Sequence, residues 1–171
     1  MQPRPEYLLL PANRAFIAFT LAAAFILNLL PWGRAYWVPD FLALVLVFWN
    51  IRQPHKVGIG IAFLFGVLMD VHNASLLGER ALAYSLLSYG AIALHRRVPW
   101  FGVFGKIAHV LPLFLLAQLI TLLVRAAVGS GLPAWPYLLS GITTALLWPI
   151  AEALLLAPQR RAIERDENRP L

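Results

Sequence analysis

An all-α, polytopic membrane bundle of six helical segments is the fold this sequence predicts, on three observations. Of 171 residues, 60% are apolar and 13% charged, with a mean hydropathy of +0.71. That is far too hydrophobic for an ordinary soluble domain. Long apolar runs alternate with prolines, glycines and basic clusters along the chain, and the basic residues gather in the short connections. In such connections they set the orientation of membrane helices. No Ser/Gly-rich or charged linker divides the chain and no repeat has a fixed period, so one bundle fits the length. The expected organisation is a single transmembrane helical domain over residues 1–157 and a charged cytoplasmic tail over residues 158–171.

The first segment covers residues 15–30, apolar except for Thr20 and Asn28, after a stretch broken by Pro3, Pro5 and Pro11. A cleaved signal peptide is the competing reading. Against it, the small triplet Ala22-Ala23-Ala24 lies inside the apolar run, which Phe25-Ile26-Leu27 continues. Pro31, Gly33 and Pro39 then break the chain, while Trp32, Tyr36 and Trp37 supply an aromatic belt at the water boundary. The second segment, residues 38–50, measures roughly 20 Å at 1.5 Å per residue, short against a hydrocarbon core of about 30 Å. Residues 57–71 are similarly short. Joined by the turn at 50–56, the two either span a thinned bilayer or form a re-entrant hairpin, and the later topology is the same in both cases.

Ser75 is the expected N-cap of a fourth segment over residues 76–95, with Gly78, Glu79 and Arg80 in its first turns. A basic, aromatic connection carrying Arg96, Arg97 and Trp100 follows; it suits anchoring at the bilayer surface. The fifth segment, residues 107–128, has Pro112 in its early turns and ends at Gly129-Ser130-Gly131-Leu132-Pro133. The sixth, residues 135–156, is expected to kink at Pro149. With both ends inside, the cytoplasmic side holds 11 basic residues and the outer side 3, namely Arg34, Arg80 and Arg125. That asymmetry predicts cytoplasmic termini.

Gly58, Ala62, Gly66 and Asp70 recur every four residues, so on a helix they share one narrow face that is small and then acidic. Small residues let membrane helices approach closely. A carboxylate at membrane depth costs at least about 2.5–3.5 kcal/mol unless hydrated or paired. Asp70 is therefore read either as a cap on a turn near the interface or as a partner of Arg80 or Arg125. Gln118, Thr121 and Arg125 share a face of the fifth segment and are expected to form hydrogen bonds inside the bundle, as is Asn28. Glu152 lies within reach of water or a basic loop residue.

Several chemistries find no support. The chain has no cysteine, which rules out disulfides, thiol catalysis and Cys-ligated metals. Its net charge of +6 would suggest nucleic acid in a soluble protein, but topology accounts for it here and no nucleic-acid partner is expected. His55, His72, His95 and His109 lack the i, i+4 spacing of a helical metal site. No serine sits in a Gly-x-Ser-x-Gly setting. No cofactor, metal or catalytic residue is predicted.

Pro39-Asp40 followed by an apolar run, Pro54, Gly66-x-x-x-Asp70, Leu77-Gly78 and Ala81-Leu82 occur in that order, and the ordered set resembles the MreD family of bacterial rod shape-determining membrane proteins. The resemblance spans most of the chain, with less signal beyond Phe101. It implies a non-enzymatic inner-membrane component of the cell-elongation machinery. The implied partners are MreC, the membrane glycan polymerase with its penicillin-binding transpeptidase and, indirectly, the actin-like filament protein. It also implies a six-helix bundle like the substrate-binding subunits of vitamin transporters. The structural and interaction candidates are Pro39, Asp40, Gly58, Ala62, Gly66, Asp70, Gly78, Arg80 and Arg125. A small-molecule-binding or transporter subunit is the alternative function.

Overall fold

The structure, a computed structural model, describes residues 8–9, 12–32, 37–129 and 135–161, the side chains of 8, 9, 135, 136, 160 and 161 excepted. Arg4, Arg34, Tyr36, the breaker at 130–133 and the tail beyond residue 161 lie outside the described residues. Seven α-helices form among those described: α1 (Arg14–Leu29), α2 (Phe41–Arg52), α3 (Gly58–His72), α4 (Glu79–Leu94), α5 (Val103–Val128), α6 (Leu139–Leu146) and α7 (Trp148–Leu156).

Local chemistry sets the boundaries. Asn13 caps α1 by accepting from the Ala15 N–H at 3.1 Å. Asp40 caps α2 through the Ala43 N–H at 2.9 Å, so that helix begins at Phe41 and leaves Val38 and Pro39 outside. Gly129 closes α5 in the left-handed region at φ +72°, a position glycine occupies without steric cost. Two expectations need correction. Ser75 does not cap α4; Gly78, at φ +103°, is the N-cap residue, and the carboxylate that receives the first N–H groups of α4 belongs to Asp70. The last of the six expected segments is two helices, because Pro149 at the second position of α7 donates no hydrogen bond back to α6. The chain bends there by 41°.

α2 is the centre of the molecule. Nine of its 12 residues are buried, and Leu42, Leu46, Val47 and Trp49 are wholly inaccessible. A helix that is apolar all round belongs inside a larger assembly, and α1, α4, α6 and α7 pack around this one. Trp49 Nε1 donates to Thr20 Oγ1 at 2.9 Å across the α1–α2 contact. The most extensively packed pair is α3 with α4, followed by α4 with α5. Phe19, Phe63, Leu64, Leu123 and Leu154 face outward and are exposed, an apolar exterior larger than water tolerates on a monomer. With 26 residues, α5 is long and apolar enough to cross a membrane alone. Residues 8–9 pair antiparallel with 160–161, Leu8 opposite Arg161 and Leu9 opposite Arg160, which brings the segment before α1 to the segment after α7.

Candidate functional site: a polar cleft and a buried carboxylate clamp

Charged side chains in apolar segments persist only when they are paired or hydrated. All four acidic side chains among the described residues are bonded. At one end of the bundle, Glu152 of α7 accepts from Arg52 of α2 at 2.8 Å and from Lys106 of α5 at 2.6 Å, as the reach to a basic neighbour predicts. At the other end, Glu79 of α4, 2% exposed, accepts from Arg125 Nε of α5 at 2.7 Å.

Asp40 binds four helices into one network. Its Oδ1 accepts from Asn28 Nδ2 of α1 at 2.7 Å and from the Ala43 N–H of α2, and Oδ2 accepts from the Tyr84 hydroxyl of α4 at 2.7 Å. Its own N–H donates to Thr144 Oγ1 of α6 at 2.8 Å. The Arg80 guanidinium lies 3.6 Å from Oδ2 and 3.4 Å from the Tyr84 hydroxyl. Tyr84, one helical turn beyond Arg80, was not singled out from sequence; its i, i+4 spacing from an arginine is the signal that points to it. Tyr84→Phe keeps the ring and removes the hydroxyl. A hydrogen bond to a charged group contributes about 1.5–3 kcal/mol, so this variant is expected to melt at a measurably lower temperature in mild detergent, and an unchanged melting temperature would show the network to be dispensable.

Asp70 is fully buried, and of its two readings the structure shows the cap and not the pairing with a guanidinium. Oδ1 accepts from the Arg80 N–H at 2.8 Å and Ser75 Oγ at 3.1 Å, while Oδ2 accepts from the Gly78 N–H at 2.9 Å and the Ala81 N–H at 3.3 Å. The carboxylate therefore clamps the open N–H groups at the start of α4, where the helix dipole favours negative charge. The side chains of Arg80 and Arg125 lie against Asp40 and Glu79, so the ion-pair reading of Asp70 is not realised and the capping reading is. One turn earlier, Gly66 permits the approach: an added Cβ would stand 2.4 Å from Ala81 Cα and 2.7 Å from its N. Ala62 is also buried, but Gly58 is not part of this contact. It begins α3 at φ +64° with no atom within 4 Å of an added Cβ.

Around Asp40 and Arg80 opens a cleft of about 250 Å³ lined by residues of α1, α2, α3, α4, α5 and α6. Pro39 and Thr121 line it, as does Gln118, whose Nε2 donates to Ser140 Oγ at 2.6 Å. The predicted face of α5 thus looks inward. Exposed Trp32 and Asn73 lie at its rim. Among the described residues no group of three or more His, Asp or Glu side chains is placed to hold a metal ion.

Comparison with known proteins adds a second line of observation. The sequence model of the family described as rod shape-determining protein MreD matches residues 12–157. A protein of Haemophilus influenzae named Rod shape-determining protein MreD is 31% identical over 144 residues, covering 81% of this chain and 86% of that protein. No solved structure matches.

Proposed function

Because the chain belongs to the family of the rod shape-determining protein MreD, we propose that it is a non-enzymatic component of the inner-membrane cell-elongation complex, supporting peptidoglycan synthesis and cell shape by docking partner membrane proteins. The family match across residues 12–157 carries this reading. MreC is the direct partner, the glycan polymerase with its penicillin-binding transpeptidase are further partners, and the actin-like filament protein is engaged indirectly. The use made of the charged groups supports a scaffold: Asp40, Asp70, Glu79 and Glu152 each hold helices to one another.

The bundle has six membrane segments, α6 and α7 forming one bent segment and α2 with α3 either crossing a thinned bilayer or entering it as a hairpin, in the arrangement of the vitamin-transporter substrate-binding subunits. Both termini are cytoplasmic. Two observations support this orientation. Residues 8–9 pair with residues 160–161, and the Glu152 end collects Arg14, Arg52, Lys56, Arg96, Arg97 and Lys106, whereas Arg80 and Arg125 lie at the Asp40 end. Single cysteines placed by Ala74→Cys and Gly102→Cys, both at exposed positions, are expected to react with impermeant reagent from opposite sides of the membrane. Labelling of both from one side would overturn the topology. The docking role is tested by co-purification of the full chain with MreC from native membranes, where no association would count decisively against it.

A further inference from the structure

A second groove lies at the Glu152 end of the bundle, between α1 and α3. The two helices start side by side there, because Lys56 Nζ, just before α3, donates to Ala12 O, just before α1, at 2.7 Å. Deeper in the bundle they touch through Phe25 and Phe65, whose ring centroids are 5.7 Å apart. From the first contact toward the second runs an open groove of about 250 Å³, with Arg14 and Lys56 at its head and Ile17, Leu21, Ile61 and Phe65 along its length.

The head is cationic and the body apolar. Arg14 is exposed and Lys56 half-buried, and Ala12 O takes one of the three donors of the ammonium. No carboxylate among the described residues answers either charge: Asp40, Asp70, Glu79 and Glu152 are held by other partners. Two uncompensated cations on one groove favour an anion, and basic pockets between membrane helices hold anionic headgroups.

Shape selects what carries that anion. A helix with its side chains is about 10–12 Å across and does not enter a groove of this volume, whereas a single hydrocarbon chain does. From Arg14 to Leu21 the groove follows α1 for roughly 10 Å at 1.5 Å per residue, about two-thirds of one leaflet, taken as half of the roughly 30 Å hydrocarbon core. Ala18, exposed on α1, has no long side chain to close the groove off from surrounding lipid. A zwitterionic lipid would bring a cation of its own to the two already there, and free phosphate would leave the apolar length empty.

We propose that this groove binds one anionic phospholipid of the leaflet at the Glu152 end, its phosphate against Arg14 and Lys56 and one acyl chain along Ile17, Leu21, Ile61 and Phe65. The site goes beyond the docking role. It depends neither on MreC nor on which side of the membrane this end faces.

The test uses the full chain, delipidated in mild detergent and titrated with dioleoyl phosphatidylglycerol, dioleoyl phosphatidylcholine or inorganic phosphate alone. Native mass spectrometry counts retained lipid, and the melting temperature reports binding to the folded state. One phosphatidylglycerol is expected to be retained, roughly 30-fold more tightly than phosphatidylcholine, the equivalent of about 1 kcal/mol for each cation. Inorganic phosphate is expected to leave the melting temperature unchanged. Arg14→Gln with Lys56→Gln removes both charges and keeps a side-chain donor for Ala12 O, and Ala18→Trp fills the groove with both charges in place. Each is expected to lose the retained lipid. Arg96→Gln with Arg97→Gln removes two exposed cations elsewhere at the same end and is expected to keep it. The comparison of lipids on the parent chain requires no variant to fold. Comparable affinity for the two lipids overturns the proposal, as does an equal shift with inorganic phosphate, which would mark an anion site without a chain site. Retention that survives both groove variants, or that falls as far in the Arg96 and Arg97 variant, overturns it by making the preference a property of total charge. No MreC enters any of these measurements, so failure here leaves the docking role standing.

Discussion

Asp70→Asn is expected to lower the melting temperature of the bundle measurably. An asparagine retains one acceptor oxygen and replaces the other by an NH2 group. Placed at Oδ2, that group turns a donor toward the Gly78 and Ala81 N–H groups; placed at Oδ1, it faces the Arg80 N–H instead. Each buried donor left unsatisfied costs about 1–3 kcal/mol, and the amide settles in the orientation that strands only one, so the loss is roughly 1–3 kcal/mol, a sizeable share of the 5–15 kcal/mol typical of a domain. Removing a buried charge works in the opposite direction. Four hydrogen bonds already compensate the carboxylate, so little is recovered and the destabilising side wins. Thermal unfolding followed by tryptophan fluorescence in mild detergent is the measurement. A melting temperature equal to that of the parent would remove the clamp from the account of the fold.

Gly66→Leu is expected to abolish the folded bundle, and Gly66→Ala to weaken it severely. The atoms that a Cβ would meet at 2.4, 2.7 and 2.8 Å belong to the backbone of Ala81 and Arg80, and backbone cannot rotate aside. Overpacking against movable side chains costs about 1–3 kcal/mol; here α3 and α4 must separate, which also draws Asp70, one turn along, from the N–H groups it holds. The two sites are therefore coupled, and Gly66→Ala combined with Asp70→Asn is expected to cost less than the sum of the single changes. Gly60 is the control. It lies on the same helix with no atom within 4 Å of an added Cβ, so Gly60→Ala is expected to leave stability unchanged or raise it slightly. If Gly66→Leu folded normally and lost only its association with a partner, the small-residue face would be an intermolecular surface instead.

Much of the architecture is legible in the sequence because apolar run length, proline and glycine are local signals. The α5 helix, its end at Gly129 and the bend before Pro149 all follow from them. The close approach at Gly66 is legible too, since a four-residue spacing of small residues defines a face wherever a helix forms. Gly58 shows where that logic stops: it belongs to the spacing pattern, yet it sits at the first turn of α3, where a different backbone conformation governs. Partner choice is the least legible property. Asp70 has two arginines within a plausible radius, but the backbone N–H groups at the start of α4 stand nearer. Tyr84 and Thr144 are ordinary residues in sequence and become meaningful only when four helices converge on Asp40.

The enclosure of α2 constrains how the molecule is made. Twelve residues at 1.5 Å each give a rod of roughly 18 Å, shorter than the hydrocarbon layer, and its flanks are complete only once α4, α6 and α7 have been synthesised. The second segment to leave the ribosome thus packs against α1 and α4 first and meets α6 and α7 last. Burial of this short rod is therefore finished only when the last segments of the chain close over it.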